Sequence, residues 1–201
     1  MLSNATVILR GYNYEQVRTV AEVLVGSKVR NMEITLNTEG AIDIIKKISD
    51  EFQDHLLIGA GTVLSLEALK KAHHAGAKFA LAPNMMSKEM LTYCNKNNII
   101  AIPGSFSPSE ISESFRNGAD IVKVFPANEL SYSYAKKVCE PLGSLPLMAV
   151  GGVNEKNVRE VLNSGYQYVG SAGGIFKKED ILNQNKEGLN ASLRLFESGL
   201  E

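Results

Sequence analysis

Eight times along the chain, a short run of β-favouring apolar residues is followed by a longer stretch with helical spacing. The runs lie at 5–10 (ATVILR), 31–36 (NMEITL), 56–60 (LLIGA), 78–82 (KFALA), 98–102 (NIIAI), 120–125 (DIVKVF), 146–150 (PLMAV) and 166–170 (YQYVG). After the first run, Val17, Val20, Ala21 and Leu24 recur at the spacing that puts them on one helical face. Strand followed by helix, repeated without hairpins, implies parallel pairing in which each crossover covers the sheet.

The joints agree with that reading. Gly26, Gly76, Gly118 and Gly165 each stand where a helix should end and the next strand begin, a position that glycine fills at little cost. Ser107-Pro108-Ser109-Glu110 reads as a capping box with proline at the first helical position, and Asn154 is expected to open the helix after Gly151-Gly152. No linker, low-complexity tract or shift in composition divides the sequence. Eight units in 201 residues predict one domain, 1–201, folded as a compact α/β (β/α)8 TIM barrel. An open doubly wound sheet is the structural alternative, but no GxGxxG follows the first strand.

At 44% hydrophobic with a net charge of −1, the chain can bury one substantial core. No apolar run approaches the roughly 20 residues needed to span a bilayer, and the start, MLSNATVILRGYN, lacks the features of a signal peptide. A cytoplasmic protein is expected. Charges of mixed sign, without a basic block, argue against nucleic acid or an anionic membrane as partner and leave a small molecule. Cys94 and Cys139 have no CxxC spacing or nearby histidine, so a metal site is not expected.

In such a barrel the active site lies at the carboxyl ends of the strands. Lys123 falls in the sixth run, Ile121-Val122-Lys123-Val124-Phe125-Pro126, and shares a face with Ile121 and Phe125. If both faces are covered the ammonium is desolvated, which lowers its pKa and turns a cation into an amine able to attack a carbonyl. A lysine that snorkels to water is the plainer alternative. In the second run Glu33, Thr35 and Asn37 alternate with Met32, Ile34 and Leu36, so the helices must take the apolar face and the polar one points into the barrel. A carboxylate and a lysine there form either a structural ion pair or an amine with its proton carrier, and the second reading better explains the cost of burial.

Gly59-Ala60-Gly61-Thr62 ends the third strand with glycines that let backbone approach a ligand and with a hydroxyl on Thr62. Arg10, ahead of Gly11, could meet a carboxylate or simply be solvated. Gly151-Gly152 after strand seven and Gly170-Ser171-Ala172-Gly173-Gly174 after strand eight are paired loops where barrels often hold a phosphate. His55, His73 and His74 lie on or beside the outer helices and receive no catalytic role.

Glu33-Ile34-Thr35-Leu36, Gly59-Ala60-Gly61-Thr62-Val63, Ile102-Pro103-Gly104, Lys123-Val124-Phe125-Pro126 and Gly151-Gly152-Val153, in this order, resemble the 2-keto-3-deoxy-6-phosphogluconate aldolase family, including its galactonate branch. The resemblance covers nearly the whole chain. It implies a class I aldolase on a (β/α)8 barrel, a homotrimer, with no metal or organic cofactor. Lys123 then falls on the Schiff-base lysine and Glu33 on the general acid/base; Thr62 and Pro83 line the pyruvyl end, Phe125 packs beside the lysine, and Gly151 and Gly152 hold the phosphate. Ser171 belongs to the second phosphate loop.

Three positions depart from the gluconate pattern. Asn37 and Val150 stand where many gluconate enzymes have arginine and threonine, Arg10 is placed to take over the substrate carboxylate as in the galactonate branch, and Gly173 replaces a frequent serine. The expected reaction is reversible cleavage of a 2-keto-3-deoxy-6-phospho sugar acid to pyruvate and glyceraldehyde 3-phosphate. A phosphate-binding isomerase or epimerase would share the glycine loops but needs no interior lysine, and a silent sugar-phosphate-binding barrel would need neither Lys123 nor Glu33.

Overall fold

In the computed structural model, which describes residues 2–200, the strands are β1 (Ala5–Leu9), β2 (Asn31–Thr35), β3 (Leu57–Gly61), β4 (Phe79–Leu81), β5 (Ile100–Ile102), β6 (Gly104–Ser105), β7 (Val122–Val124), β8 (Leu147–Val150) and β9 (Tyr168–Ser171). All pair in parallel, in the order β5-β4-β3-β2-β1-β9-β8-β7-β6. The two end strands of that order are consecutive in sequence, separated by Pro103 alone, so the sheet closes on itself as a (β/α)8 barrel whose fifth stave has two halves. Proline has no N–H for the ladder. Around it the chain changes partners: Gly104 N donates to Asn84 O at 2.9 Å, and Pro103 O accepts from Lys123 N at 2.9 Å. The fifth strand, expected at 98–102, thus starts later and runs on past the proline.

The helices are α1 (Tyr14–Leu24), α2 (Ala41–Phe52), α3 (Leu66–His74), α4 (Lys88–Lys96), α5 (Pro108–Arg116), α6 (Tyr134–Leu142), α7 (Val158–Asn163), α8 (Lys178–Leu182) and α9 (Lys186–Ser198). Their apolar faces follow the sequence spacing. On α2, for example, Ile44, Ile45, Ile48 and Phe52 are buried, each stabilising by about 1.5–3 kcal/mol relative to exposure. Ser107 closes the expected capping box on α5: its hydroxyl accepts from Glu110 N while the Glu110 carboxylate accepts from Ser107 N at 2.8 Å. The four helix-ending glycines all have left-handed φ, between +82° and +106°. Asn154 does not open a helix. Its Oδ1 accepts from Lys156 N at 2.9 Å in a turn, and Asn157 is the residue that precedes α7.

Side-chain alternation sorts two cores. Between sheet and helices lies the larger one; inside the barrel Leu2, Ile8, Phe79, Leu81, Ile102, Ile121, Met148 and Val150 pack together, with Phe125 against them. Gly59 makes room for this interior, since a Cβ there would come within 2.3 Å of the Phe79 ring. The filled interior forms a floor, and the carboxyl ends of the strands stand above it. No helix among the described residues is long and apolar enough to cross a membrane.

Candidate active site

A cavity of ≈ 340 Å³ opens above that floor, lined by Ile8, Arg10, Glu33, Lys123, Phe125, Val150 and the two glycine loops 151–154 and 170–174. Strand alternation puts Lys123 on the inner face of β7, between Ile121 and Phe125, and Glu33 on the inner face of β2. Both are buried, at 6% and 2% exposure. The Lys123 ammonium lies 4.5 Å from the centre of the Phe125 ring, a contact that makes up for part of its lost hydration.

The electrostatics of the pair follow from burial. Desolvation lowers the Lys123 pKa; Glu33 opposes that shift and Arg10 adds to it. Desolvation also pushes the Glu33 carboxyl up to about 7, against the charges of Lys123 and Arg10. Glu33 Oε2 is buried without a hydrogen-bond partner. A carboxyl poised near neutrality with a free oxygen, in one cavity with an amine easier to deprotonate than usual, is equipped to move protons beside a nucleophile. A lysine that snorkels to solvent does not describe this site.

Arg10 follows the last residue of β1, exposed at the cavity mouth, and forms no hydrogen bond or ion pair among the described residues. Its turn is fixed from β2: Gly11 N donates to Thr38 Oγ1 at 2.9 Å, and Thr38 Oγ1 pairs with Thr35 Oγ1 at 3.1 Å. Thr35 is fully buried, and its hydroxyl serves this relay. β2 ends at Thr35, so Asn37 sits in an exposed turn instead of continuing the polar face of the strand.

Thr62 and Pro83, with Thr35 and Asn37, lie outside the lining of the cavity. Thr62 follows the last residue of β3 at φ +56°, a left-handed conformation rare for a β-branched residue and of the kind found at functional sites. Pro83 packs by its backbone on Gly104, where a Cβ would meet the Pro83 carbonyl group at 2.5 Å.

The glycine loops complete the site. The backbone N–H groups of Gly151, Gly152, Val153, Ala172 and Gly173 donate to no protein acceptor among the described residues, so two facing loops carry unpaired donors suited to an anion. Side chains hold this geometry. Ser171 Oγ donates to Val153 O at 2.6 Å and accepts from Gly174 N at 2.9 Å, tying one loop to the other. Its only proton is committed there. Gly174 must lack a side chain, because a Cβ would lie 2.0 Å from Val153 O, whereas Gly173 faces open space. Asn157 grips the first loop twice, donating from Nδ2 to Gly152 O at 2.9 Å and accepting at Oδ1 from Asn154 N at 2.8 Å.

Val153, Gly170, Ala172 and Gly174, which the sequence marked only as parts of the glycine motifs, also line the cavity; Ile8 and Asn154 line it and Thr38 and Asn157 support it without having been expected there. Ile8 was within reach, since it alternates with Arg10 on the inner face of the first strand. No sequence signal marks Thr38. Among the described residues no group of three or more His, Cys, Asp or Glu could hold a metal ion.

Comparison with known proteins places this geometry. The family described as KDPG and KHG aldolase matches residues 3–191. A 2-dehydro-3-deoxy-phosphogluconate aldolase of Pseudoalteromonas atlantica is 36% identical over 80% of this chain and 74% of its own. A probable 2-dehydro-3-deoxy-6-phosphogalactonate aldolase of Rhizobium meliloti is 29% identical over 85% of this chain and 80% of its own. Among solved structures, a KDPG aldolase from Legionella pneumophila, with pyruvate captured at low pH as a covalent carbinolamine intermediate, superposes with a TM-score of 0.86 at 29% identity, covering 96% of this chain and 94% of that one.

Proposed function

The chain belongs to the KDPG and KHG aldolase family, and from that premise we propose how its residues divide the work of a class I aldolase. It is a lyase that cleaves a keto-deoxy phosphosugar through a Schiff base, with pyruvate as one product. The observation that carries the assignment of roles is the burial of Lys123 and Glu33 in one cavity, with the amine shifted down and the carboxyl up to about 7.

Lys123 Nζ attacks the C2 ketone to give a carbinolamine, which loses water to form a protonated imine. Glu33 takes the proton of the C4 hydroxyl as the C3–C4 bond breaks. The bonding pair flows into the imine, leaving an enamine, and the C4 oxygen becomes the carbonyl of glyceraldehyde 3-phosphate. Glu33 then returns its proton to C3, and hydrolysis of the imine releases pyruvate and the free lysine. Arg10 binds the substrate carboxylate, Phe125 flanks the lysine, and the free N–H groups of the two glycine loops hold the phosphate. Thr62 and Pro83 are proposed at the pyruvyl end on the family resemblance.

Two finer readings accompany this one. Val150 offers no hydroxyl beside Gly151, so we propose a preference for the galactonate epimer or weak discrimination between epimers. A single-domain homotrimer acting in the cytoplasm is also proposed. The exposed Phe106 and Leu142, beside a groove of Pro108, Tyr134, Val138 and Pro141 between α5 and α6, provide a face that association would cover.

Pyruvate release from the gluconate and galactonate substrates tests the reading. Turnover of either one supports it, and turnover of neither sends the chain to the silent-barrel alternative.

A further inference from the structure

Beside the phosphate loops lies a second pocket, of ≈ 240 Å³, that shares Gly151, Gly152 and Val153 with the catalytic cavity. It sits on the helix side of the sheet. Ala149, which alternates with the interior Met148 and Val150, forms one wall, and Ala127, Leu130, Val161 and Tyr166 form others. No charged residue or histidine lines it. The loop N–H groups that it shares with the catalytic cavity are assigned to the phosphate, and what they leave is apolar wall and neutral polar side chains such as Asn128 and Ser131, so the chemistry of the pocket selects a neutral occupant.

Two observations mark it as more than loose packing. Tyr166 is 4% exposed, yet its hydroxyl forms no hydrogen bond among the described residues. The hydroxyl faces the pocket space, so water can satisfy it there and a ligand group can take that water's place. Burial also raises the Tyr166 pKa, which keeps the hydroxyl a neutral donor. The second observation is Asn157, which lines this pocket while its amide grips the phosphate loop at Gly152 O and Asn154 N. The same Nδ2 reaches the Tyr132 hydroxyl, another lining group, at 3.3 Å. A molecule that displaces Tyr132 or Asn157 must move the backbone that carries the free N–H groups.

We propose that this pocket is a second binding site, for a small uncharged molecule with an apolar body and one hydroxyl or carbonyl group, and that its occupancy changes phosphate binding through Asn157. The coupling rests on the glycine loops being the phosphate site; the binding does not.

The probe is 4-bromophenol, whose bromine can be located by anomalous diffraction in soaked crystals, with solution binding followed by NMR titration. The expected result is bromine in this pocket with the hydroxyl toward Tyr166. Val161→Phe, which fills the space from α7, should abolish solution binding, and Tyr166→Phe should weaken it by about three- to tenfold. In aldol addition the probe should raise KM for glyceraldehyde 3-phosphate by about fivefold or more and leave kcat/KM for unphosphorylated glyceraldehyde unchanged. Bromine absent from the pocket, or binding at crystal concentration only, overturns the site. Binding that leaves both aldehydes unaffected, or slows both equally, overturns the coupling while leaving the aldolase assignment intact.

Discussion

Glu33 Oε1 occupies the space that a side chain at position 61 would need: a Cβ on Gly61 would lie 1.5 Å from it. Gly61↔Thr35 pairing between β3 and β2 brings the backbone that close, so the glycine is a condition for the position of the carboxyl. Gly61→Ala should push Glu33 aside and lower kcat by about 10²-fold or more, while Lys123 still forms its adduct with pyruvate. Steady-state kinetics and trapping on the same variant check this; parental kcat would show that the carboxyl has another place to go.

The raised pKa of Glu33 has a stability consequence with a definite sign. Between the ordinary 4.5 and about 7 the folded protein keeps a proton that the unfolded chain has released, so stability falls as pH rises through that window. The whole loss is about 3 kcal/mol. Glu33→Gln carries no such charge and should be more stable than the parent at pH 8 by up to that amount, with turnover largely gone. Urea unfolding at pH 5 and pH 8 measures it; equal stability differences at both values would mean that the carboxyl is not desolvated.

Besides its proposed role toward the substrate, Arg10 acts on the pair, because its charge lowers the pKa of both Glu33 and Lys123. Arg10→Met should raise KM for both epimeric substrates and move the acid limb of the kcat/KM profile, set by Glu33, to higher pH. Arg10→Lys should restore the limb more fully than KM, since a lysine supplies charge without the bidentate fork. A profile that stays in place would remove Arg10 from the electrostatics of the site.

The proposed epimer preference rests on Val150, whose Cγ2 lies 2.9 Å from where a side chain on Gly170 would begin. Val150→Thr is nearly isosteric and should shift the ratio of kcat/KM toward the gluconate epimer. A parent enzyme strongly selective for gluconate would contradict this account. Gly173→Ser, at an open position, should lower KM for the phosphorylated substrate without changing kcat.

Much of this architecture was legible from residue periodicity, because a strand buried on both faces and a helix covering it leave different spacings. Lys123 and Glu33 were legible for a related reason: a charged residue on the inner face of an otherwise apolar strand stands out. The fifth stave was read short because its signal stops at Pro103, where the second half, Gly104–Ser105, has no apolar pattern and continues only by changing partners. Asn37 was placed on a strand that ends two residues earlier, since alternation says nothing about where a ladder stops. Ser171 shows a different limit. Sequence put a hydroxyl in the phosphate loop, but only the fold reveals that its proton goes to Val153 O.

The covalent chemistry of Lys123 is the centre of the account, and borohydride reduction in the presence of pyruvate tests it most directly. Mass spectrometry of the reduced protein should find one added pyruvyl group, located on Lys123, and Lys123→Ala should lose both the adduct and cleavage. An adduct on another lysine, or none at all, would contradict the Schiff-base role of Lys123.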